Sequence, residues 1–214
     1  MKSEVFTAII QARMDSSRLP GKAMLKLSGK PILYHVIERT KAITGVNRVV
    51  LATTYGHENE ILIDLAKECG IDYFVGSVHN VLERFYRASQ IFGGDYIVRV
   101  TGDNPFIDPG YGSKTVELSK KSEADLCSIV NLPLGVAVEI IKREALDRAY
   151  HESSKPYHFE HVSPYIKEHT QSFYRIMYKE EYHNPFENVR LTIDTQKDFS
   201  LAREIYSELY EKIP

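Results

Sequence analysis

Cysteine is scarce in this chain: two among 214 residues, Cys69 and Cys127, too few and too far apart for a disulfide framework or a zinc site. No apolar run is long enough to span a bilayer. Met1-Lys2-Ser3-Glu4 leads straight into a strand pattern without the apolar core of a secretory signal. A charge excess of either sign is missing as well. The 27 Lys and Arg face 29 Asp and Glu, a formal net charge of −2, so nothing draws the whole molecule to nucleic acid or to an anionic membrane. The 14 tyrosines are scattered with no stacking motif, which argues against a nucleic-acid platform. Internal repeats, linkers and low-complexity segments are absent. These absences leave a single domain over residues 1–214, expected in the cytoplasm, with no nucleic-acid and no membrane partner. Its 43% hydrophobic and 26% charged residues suit a sizeable core.

The first half alternates short apolar strands with amphipathic helices. Strands are expected at Val5 to Ile10, Arg48 to Thr53, Asp72 to Val75 and Asp95 to Val100. Helices are expected at Pro31 to Ala42, Glu58 to Cys69 and Val81 to Phe92, with Pro31 in a first turn and Gly70 as a stop. This βαβαβ rhythm predicts a mostly parallel sheet with helices on both faces and right-handed crossovers. The second half is less regular. Ala124 to Val130, Val136 to Ile141, Ser172 to Tyr178 and Val189 to Ile193 read as strands. Lys142 to His151, Pro156 to His169 (interrupted or restarted near Pro164) and Gln196 to Lys212 read as helices.

Three places carry chemistry. The first strand stops at Gln11-Ala12-Arg13-Met14-Asp15-Ser16-Ser17-Arg18-Leu19-Pro20-Gly21-Lys22, a loop with three cations and several small residues. Three cations within ten residues can neutralise a triphosphate, and small residues let backbone N–H groups approach its oxygens. The glycine spacing matches neither GxxxxGK[ST] nor GxGxxG, and a solvated charged loop has the same composition. The second place is Thr101-Gly102-Asp103 at a strand end, the third Val189-Arg190-Leu191-Thr192-Ile193-Asp194-Thr195. Two aspartates at strand tips beside a cationic loop suit a magnesium–nucleotide site, since magnesium binds through one or two carboxylates plus phosphate oxygens. Taken singly, each aspartate also fits a helix N-cap. His158-x-x-His161 with Glu160 has one-face helical spacing but no third ligand at zinc-site spacing. Ser16 and Ser17 have no histidine–acid pair beside them in the sequence, so nucleophilic serine chemistry is not indicated.

These residues resemble a known family, the spore-coat polysaccharide cytidylyltransferases, relatives of the CMP-ketodeoxyoctonate synthetases. The matching segments are Ile9-Ile10-Gln11-Ala12-Arg13, Arg18-Leu19-Pro20-Gly21-Lys22, Gly29-Lys30-Pro31, Val49 to Thr54, Val98 to Asp103, Glu160 to Tyr165 and Thr192 to Thr195, in family order along nearly the whole chain. The resemblance implies a three-layer α/β/α Rossmann-like nucleotidyltransferase fold with a mostly parallel mixed sheet. It implies transfer of CMP from CTP to a sugar acid or related acceptor, with release of pyrophosphate, for surface polysaccharide. Residues 1–108 would form the nucleotide-binding half, and residues 109–214 the acceptor-binding and dimerisation half of a homodimer, with the Val136 to Ile141 strand and later helices as its contact. By motif position, Gln11, Ala12, Arg13, Ser16, Arg18 and Lys22 would hold the nucleotide, with Thr53 near the base. Arg84 would also lie near the nucleotide, although it equally fits a helix-surface charge paired with Glu83 or Asp95. Arg13, Lys22 and Asp103 would be catalytic, and Asp103 and Asp194 would hold Mg2+. Glu139, Glu160 and His161 would contact the acceptor.

The chain departs from the family pattern at three points. Asp15 stands where the family has glycine. Leu134-Gly135-Val136-Ala137-Val138-Glu139 replaces an Asp-Gly-Leu-Asp-Val-Glu pattern, so Leu134 and Ala137 take the place of two acids. Phe159 precedes Glu160 where the family often has arginine. Nucleotide handling is expected to be retained and acceptor recognition altered. Two alternatives stay open: another base or acceptor, and a nucleotide-sugar-binding protein of this fold without turnover.

Overall fold

The first strand, β1 (Phe6–Gln11), is apolar at nearly every position because both of its faces are covered, so alternation has no solvent side to serve. It pairs in parallel with β4 (Arg48–Thr54) on one side and β6 (Tyr96–Thr101) on the other, and β5 (Asp72–Gly76) adds in parallel outside β4. A short hairpin of β2 (Lys26–Leu27) and β3 (Lys30–Pro31) lies apart from this sheet. Beyond β6 the sheet becomes mixed. There β8 (Glu139–Lys142) runs antiparallel to β6, β7 (Leu126–Val130) antiparallel to β8, and β9 (Arg175–Lys179) parallel to β7. The seven-stranded order is β5-β4-β1-β6-β8-β7-β9. The computed structural model describes residues 4–180 and 189–210.

Side chains of β1 alternate between two cores. Phe6, Ala8 and Ile10 pack with α1 (Ile32–Lys41), α2 (Glu60–Glu68), α4 (Pro109–Ser122) and α8 (Gln196–Leu209), through Val36, Leu62, Val116 and Tyr206 among others. Ile9 faces α3 (Val81–Phe92) and α5 (Arg143–Glu152), with Phe85, Ala88 and Leu146, and the same core holds Ile166 of α7 (Pro164–Glu168). Helix α6 (Pro156–His161) runs alongside on this face and contacts α3. The result is the expected three-layer α/β/α arrangement. After β1 the chain moves out to β4 and β5, and α3 returns it to β6 on the other side of β1. From the carboxyl ends of β1 and β6 the chain therefore runs on in opposite directions, and doubly wound sheets bind ligands at such an edge.

Four sequence expectations need correction. Helix α4 is not in the sequence reading: Asp108 caps it by accepting from Tyr111 N, and Pro109 starts it, but Gly110 and Gly112 dilute its pattern. Gly112 is there because a Cβ would lie 2.8 Å from Ile43 side-chain carbons. Val189–Ile193 forms no named strand; only Arg190 bridges, to Leu134. The strand expected at Val136 to Ile141 narrows to β8, which is paired on both edges and so offers none to a partner subunit. The last helix ends at Leu209, and positions 211–212 of its expected span lie outside the described residues. Among the described residues no helix is long and apolar enough to cross a membrane.

Candidate active site

A cavity of about 570 Å3 opens at the carboxyl edge of β1 and β6. Its floor is the loop after β1, with Gln11, Ala12, Arg13, Asp15, Ser16, Arg18 and Lys22; Thr101, Gly102 and Asp103 come from the loop after β6. The two loops touch. Gly102 N donates to Gln11 O (2.8 Å), and a Cβ on Gly102 would lie 2.8 Å from Ala12 Cβ. Only glycine permits that approach. The β1 loop is folded back on itself by Gly21 N to Met14 O (3.0 Å), with Gly21 in the left-handed region at φ 70°. It is also tied to the scaffold, because Met14 N donates to Oδ1 of the buried Asn59 (2.9 Å). Asn59 has no motif signature, since its role depends on a contact 45 residues away.

The three chemical signals meet at one point. Lys22 Nζ lies 2.7 Å from Asp103 Oδ2, 3.0 Å from Asp194 Oδ1 and 2.8 Å from Ile193 O. Backbone geometry holds the two acids together, because Ile193 N donates to Asp103 O (2.9 Å). Arg18 Nη2 reaches Asp194 Oδ1 at 2.9 Å, and Arg190 pairs with Asp194 Oδ2. Burial pushes the Asp194 carboxyl up, but the Lys22 hydrogen bond and the charges of Lys22, Arg18 and Arg190 outweigh it and hold the group below the usual aspartate value. Neither aspartate is a helix cap. Asp108 caps α4, and Thr195 caps α8 in a capping box with Asp198. Their carboxylates are therefore not spent on capping and face cations instead, here Lys22, Arg18 and Arg190. Among the described residues no group of three or more His, Cys, Asp or Glu could hold a metal alone. A pair of carboxylates whose remaining ligands come from phosphate oxygens does fit magnesium.

Arg84 is buried, donates to Ser77 O and lines the cavity; it has no carboxylate partner among the described residues. Glu83 pairs instead with Arg87, and Asp95 accepts from Val5 N. Burial and the nearby Arg13 charge push the Arg84 guanidinium down to about 10. Two guanidiniums lining one cavity, neither in an ion pair among the described residues, attract an anion. Glu160 and His161 of α6 also line the cavity, with Pro156. His158 does not; it is buried, with Nε2 3.3 Å from Glu168 Oε2.

Two expected site residues lie away from the cavity wall. Thr53 is fully buried in β4. Glu139 faces Arg99 across the β6–β8 pair (Nη1 to Oε2 2.9 Å), accepts from Ser163 Oγ (2.9 Å) and pairs with Lys167. Burial raises its carboxyl, but Arg99, Lys167 and Ser163 overcome that and hold it low. Leu134 and Ala137 are not in the wall either, whereas Asp15 is. Sequence reasoning missed Arg190 and Asn59, together with the Val78 and His79 loop after β5.

Known proteins share this sequence pattern and this fold. A family model described as cytidylyltransferase matches residues 7–212. An uncharacterized protein of Methanocaldococcus jannaschii is 41% identical over 199 residues, covering 92% of this chain and 81% of its own. The spore coat polysaccharide biosynthesis protein SpsF of Bacillus subtilis is 31% identical over 212 residues, covering 95% and 87%. A solved cytidylyltransferase from Leptospira borgpetersenii superposes with TM-score 0.89 at 29% identity, over 97% of this chain and 88% of that one. A CMP:2-keto-3-deoxy-manno-octonic acid synthetase solved in complex with CTP shares the fold, with TM-score 0.74 at 16% identity over 95% and 99%.

Proposed function

We propose, from the fact that this chain belongs to the cytidylyltransferase family, that it transfers CMP from CTP to a sugar acid or related polar acceptor and releases pyrophosphate. One observation carries this reading: the cationic turn and two carboxylates 91 positions apart in sequence converge on Lys22 Nζ, at the carboxyl edge of the sheet. The base choice is supported by the family and by the CTP complex of a protein of the same fold.

In this reaction an acceptor oxygen attacks the α-phosphorus and pyrophosphate leaves in line. The protein has little covalent work to do, so positioning and charge stabilisation dominate. Arg13, Arg18 and Lys22 bind the triphosphate and take up charge on the departing pyrophosphate. Gln11, Ala12 and Ser16 lie along the same loop, and Arg84 adds its guanidinium from α3. Asp103 and Asp194 would hold magnesium, which when bound supplies charge neutralisation at the α-phosphate. Glu160 and His161 face the acceptor across the cavity. Glu139 serves that side from behind the wall, by fixing Ser163 and Lys167 of the α6–α7 elbow to the sheet. The half formed by residues 109–214 supplies a homodimer contact, supported by the exposed Tyr174, Met177 and Tyr178 at the outermost strand β9.

The test is thermal shift with CTP, UTP, ATP and GTP, with and without magnesium, followed by pyrophosphate release over a panel of sugar acids and polyols. A ligand present at 100 times its Kd stabilises by about 2.7 kcal/mol. Stabilisation by CTP with magnesium beyond that of the other nucleotides, and pyrophosphate release with one acceptor class, is the expected result. Stabilisation by none of the four contradicts the reading. Binding with no release for any acceptor favours a nucleotide-sugar-binding protein, consistent with Asp15 in the wall.

A further inference from the structure

The Lys22 ammonium sits in a nest of three oxygens: one from each of two carboxylates and the carbonyl of Ile193. That is a cation site already filled by the chain itself. Its side chain is 14% exposed, so this is a set position and not a surface pairing. The surroundings are also balanced. Lys22, Arg18 and Arg190 face Asp103, Asp194 and Asp198 in one connected network of ion pairs, three cations against three carboxylates. Adding a divalent ion to that network leaves two uncompensated positive charges in a partly buried site, which is unfavourable unless an anion enters with it.

We propose that Lys22 is an internal stand-in for the divalent cation. In the nucleotide-free protein its ammonium bridges the Asp103–Asp194 pair. When nucleoside triphosphate enters, its phosphates would draw Lys22 off the carboxylates, and Asp103 and Asp194 would then be open to hold the metal. Metal and nucleotide then bind as a coupled pair, each raising the affinity for the other by the same factor. This inference rests on the reading of Asp103 and Asp194 as the metal pair. It adds that a residue of the triphosphate loop competes for the metal position, so the free protein does not hold the metal by itself. Arg190, paired with the other oxygen of Asp194, keeps that carboxylate aimed.

The test measures Mn2+ binding by electron paramagnetic resonance without nucleotide, because free nucleotide chelates the ion itself. Lys22→Met keeps the length of the side chain and removes its charge. It is expected to bind Mn2+ at least tenfold more tightly than the wild type, and adding Asp103→Asn should abolish that gain. Lys22→Gln, which retains a donor, replaces the methionine variant if circular dichroism melting shows the latter unfolded. Equal Mn2+ affinity in the wild type and the Lys22 variant, with both weakened by Asp103→Asn, would overturn the stand-in role and leave the metal pair standing. Mn2+ binding indifferent to Asp103 in every background would overturn the metal pair, and the stand-in role with it.

Discussion

In the proposed reaction the chemistry would concentrate on two single side chains, Lys22 and Asp103, so truncating them should cost rate far more than stability. Removing one preorganised charge-stabilising donor typically lowers turnover about 100- to 1,000-fold. Lys22→Ala and Asp103→Asn are each expected to fall by at least that much in pyrophosphate release while keeping the far-ultraviolet circular dichroism of the parent. Release within a few-fold of the parent would remove them from the reaction. The meeting of these groups was legible in part, because Arg13, Arg18, Lys22 and Asp103 follow apolar strands and Asp194 an apolar run, where local order predicts a sheet edge. Arg190 and Asn59 were not legible. Arg190 acts through ion pairs with Asp194 and Asp198, and Asn59 through a hydrogen bond to Met14 N, and neither geometry has a local pattern.

Elements hold these side chains in register, and the caps and loop contacts that fix them give the next predictions. Helix α8 begins at Thr195, whose hydroxyl accepts from Asp198 N while Asp198 Oδ2 accepts from Thr195 N and Asp194 N. Thr195→Ala should cost about 1 kcal/mol, seen as a melting drop of about 2–4 °C for a domain of this size. It should also weaken magnesium–CTP binding, because the same box orients Asp194. A drop in melting with unchanged CTP affinity would separate the cap from the site. Gly102→Ala is the sharper test of loop contact. Its methyl would press on Ala12 Cβ and Gln11 O, both fixed, so the two loops must part and CTP affinity should fall at least tenfold in calorimetry. Helices with a clean 3.6-residue stripe, such as α1 and α3, were readable from sequence within a residue or so. Helix α4 was not, since Gly110, Gly112 and a polar surface erase its stripe while tertiary packing on Ile43 forms it anyway.

Across the whole molecule, carboxylates held low by their partners set the acid stability. Asp194, Asp198 and Glu139 all titrate below their ordinary values despite burial that works against them. A depressed folded-state value adds stability that is complete above the unfolded value, near 4. That stability is lost as pH falls through the lower folded value. Urea melts should therefore weaken progressively below about pH 5. Glu139→Gln should flatten that acid limb while lowering stability at pH 7 by about 3–5 kcal/mol, since it leaves Arg99 and Lys167 with no opposing charge. An unchanged acid limb would show that this cluster does not govern it. The β5-β4-β1-β6 half of the sheet followed from the strand–helix alternation; the β8-β7-β9 half did not, because antiparallel pairing and a return strand from residue 175 leave no such rhythm.

One measurement reaches the meeting of loop, strand tip and distant acid most directly: a crystal grown with CTP and Mn2+, with the metal located by anomalous scattering. The expected map has the manganese peak between Asp103 and Asp194, the triphosphate on Arg13, Arg18 and Lys22, and Lys22 Nζ moved from the carboxylates to phosphate oxygens. A manganese peak elsewhere, or a triphosphate that leaves the loop after β1 untouched, would contradict it.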